Sequence, residues 1–210
     1  MTESAEQRFW DHFDNWENWR DGSPDTQVLG SMTVAEGARV ELELLKRLSS
    51  GPANSWVPSA LGHMKSQKAE APLRTQLRSA TGSYRVAVAE ALWHISADEQ
   101  AVRKLVGILK RKSLLSRLQL WWNNSKLDLP RIHAAVALGR VNHPESRSAL
   151  EQATEDKDYY VSYNAKSALH RLKTGVYDPI AQMAEEGWEV TRDADGNTIV
   201  RRPENGASQK

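Results

Sequence analysis

A chain of 210 residues, 40% hydrophobic and 26% charged, has enough apolar side chains for a continuous core in one soluble domain, with room for a small appendage. Its 28 Lys and Arg nearly balance 27 Asp and Glu, so no global field draws it to nucleic acid or an anionic membrane, and any such binding has to come from a local patch. Cysteine is absent, which excludes disulfides, thiolate metal ligands and cysteine nucleophiles.

The opening MTESAEQRFWDHFDNW lacks the basic flank and the apolar run of roughly 7–15 residues of a signal peptide. No stretch reaches the ~20 apolar residues of a membrane span, so a cytoplasmic location is expected and a membrane partner is not. RFWDHFDNWENWRDG (8–22) then concentrates Phe9, Trp10, Phe13, Trp16 and Trp19. On a helix, Phe9, Phe13 and Trp16 share a face bordered by Trp10 and Trp19, opposite Asp11, His12, Asp14, Glu17 and Asn18. An interfacial membrane helix would carry Lys and Arg on its wet face, whereas Asp11, Asp14 and Glu17 stand there against Arg8 and Arg20. The pattern predicts a cap over the exposed end of a repeat array, with partner binding through exposed Trp as the alternative. Residues 1–30 are read as this capping helix and a linker.

Residues 31–175 carry a repeat. NSWVPSALGHM (54–64), RVAVAEALWHI (85–95), RIHAAVALGRV (131–141) and SYNAKSALHRL (162–172) align on Ala60-Leu61, Ala91-Leu92, Ala137-Leu138 and Ala168-Leu169, at offsets of 31, 46 and 31 residues. Two equal periods flanking a longer one predict four units with a single insertion. Each segment follows another of helical period. In 33–50 Val34, Ala38, Leu42, Leu45 and Leu48 share a face; 68–80 is weaker and starts near Pro72. In 97–111 the stripe is Val102, Leu105, Val106 and Leu109, and 144–157 opens on Pro144 and carries Ala149, Leu150 and Ala153. Turn-forming clusters at 49–52, 81–83 and 156–158 separate the members of each pair, so the unit is two antiparallel helices, with Ala letting the second helices approach closely.

The insertion, about 112–128, sits in KRKSLLSRLQLWWNNSKLDLP (110–130), where Lys110, Arg111, Lys112 and Arg117 accompany several leucines and the pair Trp121-Trp122. Cations neutralise phosphates and rings stack on bases, so a nucleic-acid site is one reading. A protein-binding protrusion is another, and so is a cationic helix end with buried leucines. Beyond Gly175, 177–187 reads as a short helix and 188–203 alternates around a Gly-containing turn as a β-hairpin. Asp193, Asp195 and Asn197 lack the remaining ligands of a calcium loop, so a solvated turn is expected. Residues 176–203 thus form a small C-terminal helix and hairpin, and 204–210 a disordered tail.

The run PRIHAAVALGRVNHPESRSALEQATEDKDYYVSYNAKSALHRL (130–172) resembles the HEAT-like repeats first named for phycobilisome bilin lyases. The resemblance extends through 85–111 and more thinly over 33–64. It implies an all-α chain: a short right-handed α-solenoid of about four helix pairs. The Arg usual near the start of the second helix is present as Arg85 and Arg131 but replaced by Asn54 and Ser162. Such repeats serve as scaffolds, adaptors, inhibitors, lyases and nucleic-acid enzymes, so the resemblance bears on fold more than on activity.

His63 and His94 occupy equivalent repeat positions, matched by Arg140 and Arg171, and so form a basic ladder along one edge. Favourable interaction with the helix dipole is a sufficient alternative account of them. No His-Glu dipeptide of the kind used by helical-repeat di-iron hydroxylases occurs, and no Gly-rich phosphate loop or nucleophile motif is visible, so no metal, cofactor or catalytic residue is predicted. The expected function is a non-catalytic scaffold, adaptor or inhibitor that presents a rigid concave helical surface to another protein. Its candidate partner-binding residues are Arg85, Trp93, His94, Trp121, Trp122, Arg131, Arg140 and Arg171, and the arginines favour an acidic partner. Two alternatives remain: a nucleic-acid-binding protein similar to HEAT-like DNA glycosylases, using Glu90 and Trp93, and a bilin-lyase-like helper with Trp93, Tyr159, Tyr160 and Tyr163 along a groove.

Overall fold

The computed structural model describes residues 3–15, 27–51, 54–111, 128–175, 189–192 and 198–201, and most of them are helical. Helix α1 (Ala5–Phe13) starts where Ser4 accepts a hydrogen bond from the Gln7 amide. It buries Phe9 and Phe13 and half-buries Trp10 against α3 (Val34–Ser49), which follows a short α2 (Gln27–Gly30). Ion pairs Glu6–Arg39 and Asp14–Arg47, each at 2.5 Å, flank this contact, and the Arg47 guanidinium lies 4.4 Å from the Trp10 ring centre. Trp16 and Trp19 lie outside the described residues.

A capping box opens α3: the Thr33 hydroxyl accepts from the Glu36 amide at 3.3 Å, while the Glu36 carboxylate accepts from the Thr33 amide at 2.8 Å. The helix buries Val40, Leu44 and Leu48 and half-buries Leu45, so the predicted stripe is covered at Leu45 and Leu48 but not at Val34, Ala38 and Leu42. Val34 and Leu42 are 93% and 71% exposed. Both stripes have helical spacing, and the one that faces α1 and the next helix becomes the core.

Helices α4 (Trp56–His63), α5 (Glu70–Ser79), α6 (Gly82–Ser96) and α7 (Glu99–Lys110) follow, then α8 (Leu129–Leu138), α9 (Pro144–Ala153) and α10 (Tyr159–Thr174). A single 3-10 turn over Gln67–Ala69 leads into α5, which therefore begins before Pro72 and holds that proline in its first turn, where no amide donor is missed. Asp98 and Asp158 cap α7 and α10, each carboxylate accepting two backbone amides at 2.8–3.3 Å and 2.9–3.3 Å.

In space, α4 packs on α6, α6 on α8 and α8 on α10. Helix α5 packs on α6, α7 on both α6 and α8, and α9 on both α7 and α10. The Ala-Leu pairs form the seam: Ala60, Leu61, Ala91, Leu92, Ala137, Leu138 and Ala168 are buried, and Leu169, on the final helix of the series, is half-buried. Two contacts in that seam need glycine. A Cβ on Gly62 would stand 2.8 Å from the Ala91 Cα, and one on Gly139 would stand 2.7 Å from the Ala168 Cβ. Ala91 follows Gly62, and Ala168 follows Gly139, by the same 29 residues.

Strands β1 (Glu189–Arg192) and β2 (Thr198–Arg201) pair antiparallel, with Val190 opposite Val200. The turn predicted between them, the helix predicted over 177–187, the tail predicted over 204–210 and all but the last residue of the insertion predicted at about 112–128, Trp121 and Trp122 included, lie outside the described residues. Among the described residues, no helix is long and apolar enough to cross a membrane.

Candidate functional site

The arginines singled out in the sequence fall into two groups. Arg85 and Arg131 point into the packing between helices. The Arg85 Nε donates to the Ala80 carbonyl at the end of α5, and the Arg131 Nε donates to the Leu109 carbonyl near the end of α7 at 2.9 Å. Arg131 also pairs through Nη1 and Nη2 with Asp156, and its side chain is only 11% exposed. Ser162, at the same repeat position, donates its hydroxyl to the Thr154 carbonyl at 2.5 Å. Three units thus use this position to satisfy a carbonyl that a helix end leaves without an intrahelical partner.

Arg140 and Arg171 are half-buried and belong to a row carried by α4, α6, the turn after α8, and α10. His63 and His94 stack with ring centres 5.9 Å apart. Glu90, one turn before His94 on α6, places its Oε1 3.7 Å from the His94 Nε2 and 2.9 Å from the Arg140 Nη1. This carboxylate, 12% exposed, is the internal counter-charge of the row. Arg171 lies within electrostatic reach of both Arg140 and Glu90, yet among the described residues it has no ion pair. His133, two turns before Arg140 along the same segment, faces Arg140 and Glu90.

Burial alone would raise the Glu90 carboxyl, but the hydrogen bond to His94 and the charge and hydrogen bond of Arg140 outweigh it and hold the group at about 2. His63 and His133 move the other way from a paired histidine. Solvent still reaches His63, but desolvation first and then the positive charges of His94, Arg140 and Arg171 lower its proton affinity against the pull of Glu90. Desolvation, followed by the charge of Arg140, lowers His133 likewise. Desolvation and the repulsion of Arg140 also lower the proton affinity of Arg171, which nevertheless stays cationic. The fixed charges of the row are therefore two guanidiniums against one carboxylate, with His63 and His133 disfavoured as cations.

Trp93 is half-buried, and its ring meets His143 edge to face at 5.8 Å. The His143 Nδ1 in turn accepts from the Glu145 amide at the start of α9, so Trp93 braces a helix terminus. An open cleft of about 370 Å³ beside it is lined by Asn142, His143, Pro144, Arg147, Ser148, Glu151 and Leu172. Tyr159, Tyr160 and Tyr163 cluster at the start of α10, with ring centres 5.5 and 6.1 Å apart along the group. Among the described residues, no three His, Asp or Glu side chains are grouped to hold a metal ion.

The structure thus brings together His94, Arg140 and Arg171, adds Glu90, His63 and His133 to them, and sets Arg85 and Arg131 apart. The spacing of His133 seven residues before Arg140 is a same-face signal that was available in the sequence. No family model matches the chain, and no curated protein or solved structure matches it at a significant level.

Proposed function

We propose that the chain is a short right-handed α-solenoid of about four HEAT-like helix pairs, capped by α1, that binds another protein and has no catalysis of its own. The successive packing of α4, α6, α8 and α10, and the glycine-to-alanine approach repeated at two of their interfaces, support the repeat reading. The observation that carries the binding function is the continuous row from His63 to Arg171. Four neighbouring helices or turns each contribute a basic side chain to one surface, and among the described residues the cation at its end has no ion pair, Glu90 acting on it only at longer range. A surface held by packed helices loses little conformational entropy on binding, and its charge selects a partner of opposite sign.

The test is affinity capture from a nuclease-treated lysate of the native host, with the full chain and its Arg171→Glu variant compared side by side. One stoichiometric protein is expected with the parent and not with the variant, while both melt at the same temperature. Capture indifferent to Arg171→Glu overturns the reading. So does binding to nucleic acid alone that weakens steeply with salt.

A further inference from the structure

The row contains two guanidiniums and one carboxylate. Glu90 meets Arg140 through Nη1 and also stands beside His94, so its charge is shared within α6 and the turn after α8. Arg171, on α10, is partly withdrawn from water and has no carboxylate at ion-pair distance among the described residues. A cation in that position is relieved by an incoming anion able to accept its planar fork of donors. At the other end of the row, His63 and His94 are stacked ring on ring, so protonating both puts like charges in contact unless negative charge is added.

We propose that the row His63, His94, Arg140 and Arg171 is a proton-linked site for the carboxylates of an acidic protein segment, one of which seats on Arg171 as Glu90 does on Arg140. The proposal rests on the reading of the chain as a protein-binding scaffold and names the chemistry of its partner. Carboxylates fit the row better than a phosphate. A dianion laid across it meets the Glu90 carboxylate, whereas singly charged groups distributed along a segment place one charge at each rung. Packed helices lie about 8–10 Å apart, which is about one turn of a polyproline II segment, three residues of about 3.1 Å each after which side chains return to the same face. Acidic residues at every third position therefore keep step with the helices.

The groups facing the two stacked imidazoles are Glu90 on α6, Arg140 after α8 and Arg171 on α10; His133 faces Arg140 and Glu90. In the free chain, desolvation first and then the charges of His94, Arg140 and Arg171 disfavour the imidazolium form of His63 against the pull of Glu90. A bound carboxylate reverses that field, so binding takes up protons and tightens as the pH falls towards the range in which histidine titrates.

The experiment is isothermal titration of the full chain with a synthetic peptide carrying Glu at every third position among serines, in two buffers of different ionisation enthalpy. Binding at about pH 6 is expected to be about tenfold tighter than at about pH 8, with net proton uptake. Arg171→Gln weakens it at least about tenfold at both pH values with an unchanged melting temperature. His63→Gln combined with His94→Gln keeps the affinity of about pH 8 and removes the uptake. A peptide that does not bind, an Arg171→Gln variant that binds equally well, or binding without proton uptake overturns the proposal. Inorganic phosphate binding more tightly than the peptide overturns the choice of carboxylate. If a protein is captured from lysate through Arg171 but the titration shows no uptake, this inference fails while the scaffold reading stands; if nothing is captured, the scaffold reading fails on its own test.

Discussion

Arg131 and Arg103 are both arginines in ion pairs, and their surroundings give them opposite weights. Arg131 is 11% exposed, pairs with Asp156, and satisfies the Leu109 carbonyl, so its removal takes the cation from a half-buried carboxylate and the side-chain donor from a helix-end carbonyl. Arg131→Gln is expected to lower unfolding free energy by about 2 kcal/mol. The Arg103–Glu99 pair is 63% and 67% exposed, and Arg103→Gln is expected to change stability by less than about 0.5 kcal/mol. Urea denaturation of the two variants checks the contrast; equal effects would remove the interhelical role given to Arg131. The recurrence of arginine at 85 and 131 is legible in the sequence, but the direction of its side chain is not. A guanidinium near a helix start reaches equally well outward to a partner or back to a neighbouring carbonyl. Ser162 resolves the ambiguity, because a short hydroxyl at the same position reaches only the carbonyl of Thr154.

Among the elements, the helices α4, α6, α8 and α10 follow the Ala-Leu register closely because small residues are required wherever two backbones approach. That requirement also separates glycines that look alike in sequence. Gly139 caps α8, and a Cβ there would stand 2.8 Å from the Ala168 Cα, so a methyl group forces α8 and α10 apart. Gly107 lies inside α7 with nothing within 4 Å of where its Cβ would be. Gly139→Ala is expected to destabilise by about 1–3 kcal/mol through overpacking. Gly107→Ala is expected to stabilise by about 0.5–1 kcal/mol through lost backbone freedom in the unfolded chain. Thermal melts of both variants read the two signs, and a stabilising Gly139→Ala would show that the helices separate freely. Helix α3 marks the limit of such pattern reading. The predicted stripe Val34-Ala38-Leu42-Leu45-Leu48 and the buried line Val40-Leu44-Leu48 are both helical in spacing and share Leu48, and only the positions of α1 and α4 decide which flank is covered. Pairing of Glu90 with Arg140 was hidden for a related reason: they are 50 residues apart across an insertion, and their meeting depends on how α6 and α8 pack rather than on local spacing.

At the scale of the whole molecule, the row couples its charge balance to the stability of the fold, and the signs can be worked out group by group. His63 and His133 have folded-state proton affinities below the ordinary value of 6.5, so the unfolded chain binds more protons as the pH falls through that value. Stability is therefore full above about pH 6.5 and declines below it until the folded-state values are passed. Glu90 adds a second step of the same sign. Its folded value of about 2 lies below the ordinary 4.5, so its contribution is present above 4.5 and is lost as the pH falls from there towards 2. Melting temperature is thus expected to fall on acidification from pH 8 to 5, more steeply than in a variant carrying His63→Gln and His133→Gln together. Glu90→Gln is expected to be destabilised at neutral pH, because the half-buried Arg140 loses its counter-charge, and to converge on the parent as the pH falls below 4.5. Scanning calorimetry across this range distinguishes the two steps. A melting temperature that rises between pH 7 and 5 would mean that the folded chain holds its imidazoles as cations, and the row would then be already neutralised by charges of the chain itself rather than open to those of a ligand.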